Sequence, residues 1–190
     1  MLQDLIISIR SIATLWILTA FLYPLLIFLI GQTAFPYQAN GSLLTNAQGE
    51  VVGSALIGQT FTADEYFLSR PSVIAYSEGD DASPTGLSGG SNLAPDNPEL
   101  LERIQAEAQR LRSEGVEPTA DLLYSSGSGL DPHISPAAAE AQVERVAQVR
   151  GLSVDEVRSL IAQNTDGRFL GIFGEPGVDV LTLNLALDNL

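Results

Sequence analysis

The chain has 190 residues, with 23 Asp and Glu against nine Arg and no Lys, and a formal net charge of −14 at pH 7. Such a balance repels nucleic acid and anionic lipid. The missing lysine excludes a Walker-type phosphate loop, and the missing cysteine excludes disulfides and thiolate metal sites.

Residues 1–10 are a short N-terminal segment that ends on Arg10, and residues 11–31, from Ser11 to Gly31, form an apolar run without a charge. As a helix, the core from Ile12 to Ile30 spans about 28 Å, close to the roughly 30 Å of bilayer hydrocarbon. One transmembrane helix is predicted. The competing reading is a cleaved signal peptide, whose apolar region is typically about 7–15 residues and ends at a small-x-small site. This run is longer and leads into Gly31-Gln32-Thr33-Ala34-Phe35-Pro36. Pro24 is tolerated at membrane depth and marks an expected kink. Arg10 is the sole cation before Arg70, which predicts a cytoplasmic N-terminus and a soluble part outside, in the inner (plasma) membrane of a cell. The net charge lies in that soluble part, with 22 acidic residues against eight Arg over residues 32–190.

The expected fold is this single N-terminal transmembrane helix plus one mixed α/β soluble domain. Residues 32–49 are uncharged and polar, and read as an extended connector to a domain over residues 50–190. Val51–Ile57 and Ser72–Tyr76 are short apolar runs expected as strands. Glu78–Pro98 is rich in Gly, Ser, Asp, Asn and Pro, a loop too long to be idle in a compact domain. Three helices follow. Asn97 caps the first, Pro98 opens it, Leu100, Leu101, Ile104, Ala108 and Leu111 supply its apolar face, and Gly115 stops it. The second runs from Ser135-Pro136 to near Gly151. The third starts at a capping box of Ser153 and Glu156, with Leu152 and Val157 as hydrophobic staple, and ends near Asn164–Gly167. Leu181, Leu183, Leu185 and Leu187 then alternate with less apolar residues, the pattern of a half-buried strand, and Val178 and Val180 on the other phase imply a change of face near Val180.

Two stretches are dense in chemistry. Ser125–Pro136 holds the one histidine, His133, beside Asp131 and several serines. A hydrolytic triad is disfavoured, because these residues are sequence neighbours and Ser128 lacks the Gly-x-Ser-x-Gly elbow. Local structure, with glycines turning the chain and Asp131 or His133 fixing the helix start, is the plainer reading. The second stretch is Leu87-Ser88-Gly89-Gly90-Ser91. Its glycines can expose backbone N–H groups to a phosphate, and it resembles the ABC-transporter signature except at Ser91. A flexible turn is the alternative.

The order of motifs is more specific than any one of them. After the N-terminal run come Gly53-Ser54-Ala55-Leu56-Ile57-Gly58-Gln59, Tyr66-Phe67-Leu68-Ser69-Arg70-Pro71-Ser72, Ser88-Gly89-Gly90-Ser91-Asn92-Leu93, Ser128-Gly129-Leu130-Asp131-Pro132-His133-Ile134-Ser135-Pro136, Gly174-Glu175-Pro176 and Val180–Leu187. The series resembles the C subunit of the bacterial Kdp potassium-transporting ATPase over nearly the whole chain. It departs at Ala94, where the family tends to glycine, and at Gly177-Val178-Asp179, where a basic residue and Asn are commoner. The resemblance implies a non-catalytic accessory subunit in the lipid bilayer beside a channel-like potassium-binding subunit and an ATP-hydrolysing P-type subunit. It further implies a role in assembly and as a catalytic chaperone raising the ATP affinity of the P-type subunit, with no cofactor or metal of its own and ATP shared with that subunit. Leu87–Ser91 is the nucleotide-binding candidate. The outward topology conflicts with direct contact to cytoplasmic ATP, so an acidic cap over the outer potassium entrance stands as the alternative. A self-standing outer-surface binding protein is a third reading.

Overall fold

The computed structural model describes residues 1–78 and 86–190, and divides into two units, Met1–Leu43 and Leu44–Leu190. Part of the expected Glu78–Pro98 loop, residues 79–85, lies outside the described residues.

The first unit is dominated by one helix of 33 residues, Leu2–Ala34, long and apolar enough to cross a membrane. It comprises α1 (Leu2–Ile17), a π-helical turn (Leu18–Leu22) and α2 (Tyr23–Ala34). At about 1.5 Å per residue it measures about 50 Å, so it overruns the apolar stretch at both ends. The π turn stops just before Tyr23-Pro24, where a proline lacks the N–H that a regular ladder needs, so the disturbance expected there takes the form of a change of helical register. The stretch expected as an extended connector holds the end of α2, a short α3 (Pro36–Ala39) and strand β1 (Leu43–Thr45).

β1 pairs with β2 (Val51–Ser54), which takes the first half of the Val51–Ile57 run. Asn46 Oδ1 folds the turn between them by accepting the N–H groups of Gln48 and Glu50 at 3.0 and 2.9 Å. The strand expected over Ser72–Tyr76 is not one. Ser72 Oγ accepts the N–H of Ile74 and of Tyr76, and Ala75, Tyr76 and Ser77 adopt φ of 44°, 55° and 56°, a tight turn that an extended strand cannot contain.

α4 (Pro98–Ser113) begins as expected, with Asn97 Oδ1 accepting the Glu99 N–H at 2.9 Å. Leu111 is buried and Leu100, Ile104 and Ala108 are half-buried, but Leu101 points outward. After α5 (Ala120–Leu123) and β3 (His133–Ile134), the expected second helix is broken into α6 (Pro136–Glu140) and α7 (Val143–Arg150). Gln142 sits at the break. α8 (Val154–Gln163) carries the full capping box, Ser153 Oγ accepting from Glu156 N–H and Glu156 Oε2 accepting from Ser153 N–H. β4 (Thr165–Asp166) and β5 (Gly177–Asp179) complete an antiparallel sheet in the order β3-β5-β4, with Ile134 and Thr165 both opposite Val178.

The C-terminal strand expectation is overturned, because Val180–Asp188 is a helix, α9. Leucines at every second position also fill a helical stripe, and Val180, Leu183, Asn184 and Leu187 stand at i, i+3, i+4 and i+7 with at most 2% exposure. Asp179 caps the helix by accepting the Thr182 N–H at 2.8 Å. The change of face near Val180 is this strand-to-helix junction.

The core encloses Phe67, Leu111, Val146, Val157, Val178 and Leu183 completely. Phe67 belongs to an irregular segment whose backbone has no strand partner, so side chains replace one. Asn184 accepts from Phe67 N–H at 2.8 Å and donates to its carbonyl at 3.0 Å. Gln142 accepts from Leu68 N–H at 2.7 Å and faces its carbonyl at 3.4 Å. Arg145 donates to the carbonyls of Asp64 and Tyr66, and Arg150 to that of Glu65. Asn184→Ala leaves both Phe67 backbone groups stranded, and at about 1–3 kcal/mol for each buried group it should lower the unfolding free energy by about 2–6 kcal/mol in urea titrations.

Candidate functional site

The motifs scattered through the sequence meet in space. The clamped Phe67-Leu68 segment delivers Ser69, Arg70, Pro71 and Ser72 to the Ser126–His133 loop. Ser126 N–H donates to the Pro71 carbonyl at 3.0 Å, Ser72 Oγ donates to the Gly129 carbonyl at 2.9 Å, and Arg70 Nη1 pairs with Asp131 Oδ2 at 2.8 Å. Tyr76, only 4% exposed, donates its hydroxyl to the Arg70 carbonyl at 2.7 Å, and burial pushes its phenol up to about 12. Gly58 closes the far side. Its N–H donates to the Leu130 carbonyl, and a Cβ there would stand 2.5 Å from the Tyr76 ring and 2.8 Å from the Asp131 carbonyl.

The glycine motifs interlock. Gly89 N–H and Ser88 Oγ both donate to the Ser128 carbonyl, at 2.8 and 3.0 Å. A Cβ on Gly90 would lie 2.9 Å from the Gly127 carbonyl, and one on Gly129, at φ +70°, would lie 2.7 Å from the Gly89 carbonyl and 2.5 Å from Ile74. Neither Gly89 nor Gly90 has a positive φ, so close approach is what demands glycine at Gly90. Leu87 is tied to Ser77, whose Oγ accepts its N–H and donates to its carbonyl. Ser91 lines, with Gly90, Ser72, Glu99, Glu102 and Arg103, an open cavity of about 850 Å³. Arg103 Nε is buried there without an acceptor among the described residues.

Of the second candidate stretch, Leu130 and Pro132 serve through backbone carbonyls, which accept from Gly58 and Val180. Asp131 Oδ1 accepts the His133 N–H at 3.0 Å and stands 3.7 Å from His133 Nδ1, while His133 Nε2 stands 3.5 Å from Asp166 Oδ2. The ring nitrogens thus face carboxylates, which leaves a triad without its nucleophile. Ser135 Oγ caps α6 by accepting from Ala138 N–H, Pro136 is its first residue, and Asp121 holds the Ser135 N–H at 2.8 Å. Asp121, Asp131, His133, Ser135 and Asp166, with Arg70, Glu175 and Pro176, border a cavity of about 380 Å³ of mixed charge. Arg70 and Ser72 sit in a motif that the sequence singles out. Asp121 and Asp166 carry no sequence signal, because their partners, Ser135 and His133, lie in other elements.

Charge pairing sets the titration of this cluster. His133, its backbone N–H and Arg70 hold the Asp131 carboxyl down at about 2, against the cost of burial. Asp131, then Asp179 and Asp166, hold His133 above its ordinary value, again against burial. A raised histidine stabilises the fold fully below its unfolded value of about 6.5 and loses that contribution as pH rises through the folded value. Thermal unfolding midpoints should therefore fall above about pH 6.5 in the wild type and fall less in His133→Gln.

Comparison with known proteins bears on the whole of this assembly. Residues 5–189 match the family described as K+-transporting ATPase, c chain. A Synechocystis protein named potassium-transporting ATPase KdpC subunit is 70% identical over the full length of both chains. A Nostoc relative, KdpC subunit 2, is 59% identical over 98% of this chain and 94% of its own, and the KdpC subunit of Geobacter sulfurreducens is 45% identical over 100% and 99%. The match takes in the N-terminal helix, the interlocked glycine loops and the Arg70–Asp131–His133 cluster together, and the chain belongs to the KdpC family, the c chain of K+-transporting ATPases.

Proposed function

We propose that the chain is a non-catalytic accessory subunit of an ATP-driven potassium uptake complex, working beside a channel-like potassium-binding subunit and an ATP-hydrolysing P-type subunit. The Leu2–Ala34 helix anchors it in the inner (plasma) membrane with the N-terminus cytoplasmic and residues 50–190 outside. Arg10, the lone cation of the N-terminal segment, supports this orientation. In this reading the domain promotes assembly and raises the ATP affinity of the P-type subunit from a distance, as a coupling between sites. The observation that carries it is the interlock at Ser128, whose carbonyl takes the Ser88 hydroxyl and the Gly89 N–H, the groups that a phosphate would need.

Two further readings have support of their own. Direct nucleotide contact is favoured by the cavity where Gly90 and Ser91 face Arg103. A cap over the outer potassium entrance is favoured by the acidic surplus of residues 32–190, which raises the local cation concentration at low ionic strength.

Impermeant thiol reagents test the topology. In the cysteine-free chain, Ser113→Cys should label from outside intact cells and Gln3→Cys should not; the reverse pattern rejects the outward domain.

ATP titration of the assembled complex separates the mechanisms. Arg103→Gln and Ser91→Ala should change half-saturating ATP by less than about twofold, whereas Gly90→Val, pressed against the Gly127 carbonyl, should reduce recovery of the complex. A rise of about tenfold or more in half-saturating ATP for Arg103→Gln, with assembly intact, establishes direct contact instead.

A further inference from the structure

Between β4 and β5 the chain makes a small hairpin whose tip, Phe169-Leu170-Gly171-Ile172-Phe173, is all apolar apart from its glycine. Its four large side chains are 71%, 74%, 70% and 61% exposed, a contiguous apolar cluster on an otherwise acidic domain. The tip is built, not loose. Phe169 N–H donates to the Phe173 carbonyl at 2.8 Å, Ile172 and Phe173 N–H return to the Phe169 carbonyl, and Gly171 N–H donates to the Arg168 carbonyl. At the base, Arg168 and Glu175 neutralise each other at 2.7 Å. Leu170 holds φ +53°, a backbone position that Gly or Asn fills with less strain. A large apolar side chain held outward at such a position points to a contact that the isolated chain does not provide.

We propose that this tip inserts into the interfacial region of a zwitterionic lipid bilayer, as a second membrane contact besides the Leu2–Ala34 helix; the proposal rests on the membrane-anchored reading above. Three features select lipid over a protein groove. The tip offers no polar side chain, whereas protein interfaces carry about one hydrogen bond per 100–200 Å². Four of its five N–H groups are satisfied within the hairpin, which lowers the cost of taking that backbone out of water. The large side chains stand exposed at the turn of a hairpin, and a bilayer receives such an apolar tip without a pocket shaped for it. The anchor would keep the domain near the surface, so a weak insertion suffices. The net charge of −14 opposes approach to anionic lipid, which fixes the preference for neutral headgroups.

The test uses the full chain alone in phosphatidylcholine vesicles, with an environment-sensitive fluorophore on Ile172→Cys, on Ser113→Cys as an exposed reference, or on Ile27→Cys within the long helix. Doxyl-labelled phosphatidylcholine should quench the Ile172→Cys label about threefold or more above the Ser113→Cys label, and Phe169→Ser with Phe173→Ser should abolish the difference. Replacing half the lipid by phosphatidylglycerol should weaken it. Equal quenching at positions 172 and 113, with position 27 strongly quenched, overturns the insertion and leaves the anchor intact. Shielding of position 172 from solvent only when the other subunits are added assigns the tip to a protein groove and also overturns it. Quenching at 172 but not at 27 upholds the tip and rejects the anchor, and quenching at neither rejects both.

Discussion

Five consecutive residues, Asp64 to Leu68, pass from the surface into the core without a strand or helix to satisfy their backbone. Burying such a segment is costly unless each polar group finds a partner. Here the partners are side chains from α7, from α9 and from the break between α6 and α7: Arg145 and Arg150 for the carbonyls of residues 64 to 66, Asn184 and Gln142 for both groups of Phe67 and Leu68. The carboxamides present a donor and an acceptor in one plane, which lets each imitate a strand neighbour for one residue. This clamp buries Phe67 at the centre of the core and fixes the direction in which the chain emerges at Ser69. The placement of Arg70 against Asp131 and of Ser72 against Gly129 depends on it.

The consequence is a domain whose motifs hold each other. Arg70, Asp131, His133 and Asp166 form a chain of opposite charges that runs from the half-buried Arg70 to the exposed Asp166. The glycines of two loops approach so closely that an added methyl group at Gly90 or Gly129 meets backbone. A rigid body of this kind suits a part that must present a fixed surface to neighbours within an assembly, where pre-organisation lowers the entropy lost on docking.

Local chemistry was legible in the sequence, and long-range chemistry was not. The caps at Asn97 and Ser153 could be read because a cap and the N–H it accepts lie within three residues. The C-terminal segment misleads because its leucines satisfy the two-residue and the helical period together; Asp179 as a cap, and Asn184 on the inner stripe, were the residues that distinguish them. Ser72–Tyr76 is apolar enough for a strand, yet three successive positive φ values at non-glycine residues leave no mark in composition. Gln142 breaks the second helix because its side chain is needed 74 residues away, at Leu68. The loops at Leu87–Ser91 and Gly129–Pro136 stood out as unusual, but the reason for their glycines lies in each other.

The π-helical turn at Leu18–Leu22 carries a geometric consequence for the long helix. A π turn accommodates one residue more than an α turn, and one residue corresponds to about 100° of rotation. A stripe of side chains that runs along α1 therefore does not continue along α2 but is displaced around the axis. The two halves of one rod turn different faces toward the same direction, so a neighbouring helix that follows it end to end meets two unlike surfaces. Its handedness of contact is written into five residues, and an unbroken helix of equal length and hydrophobicity would not reproduce it.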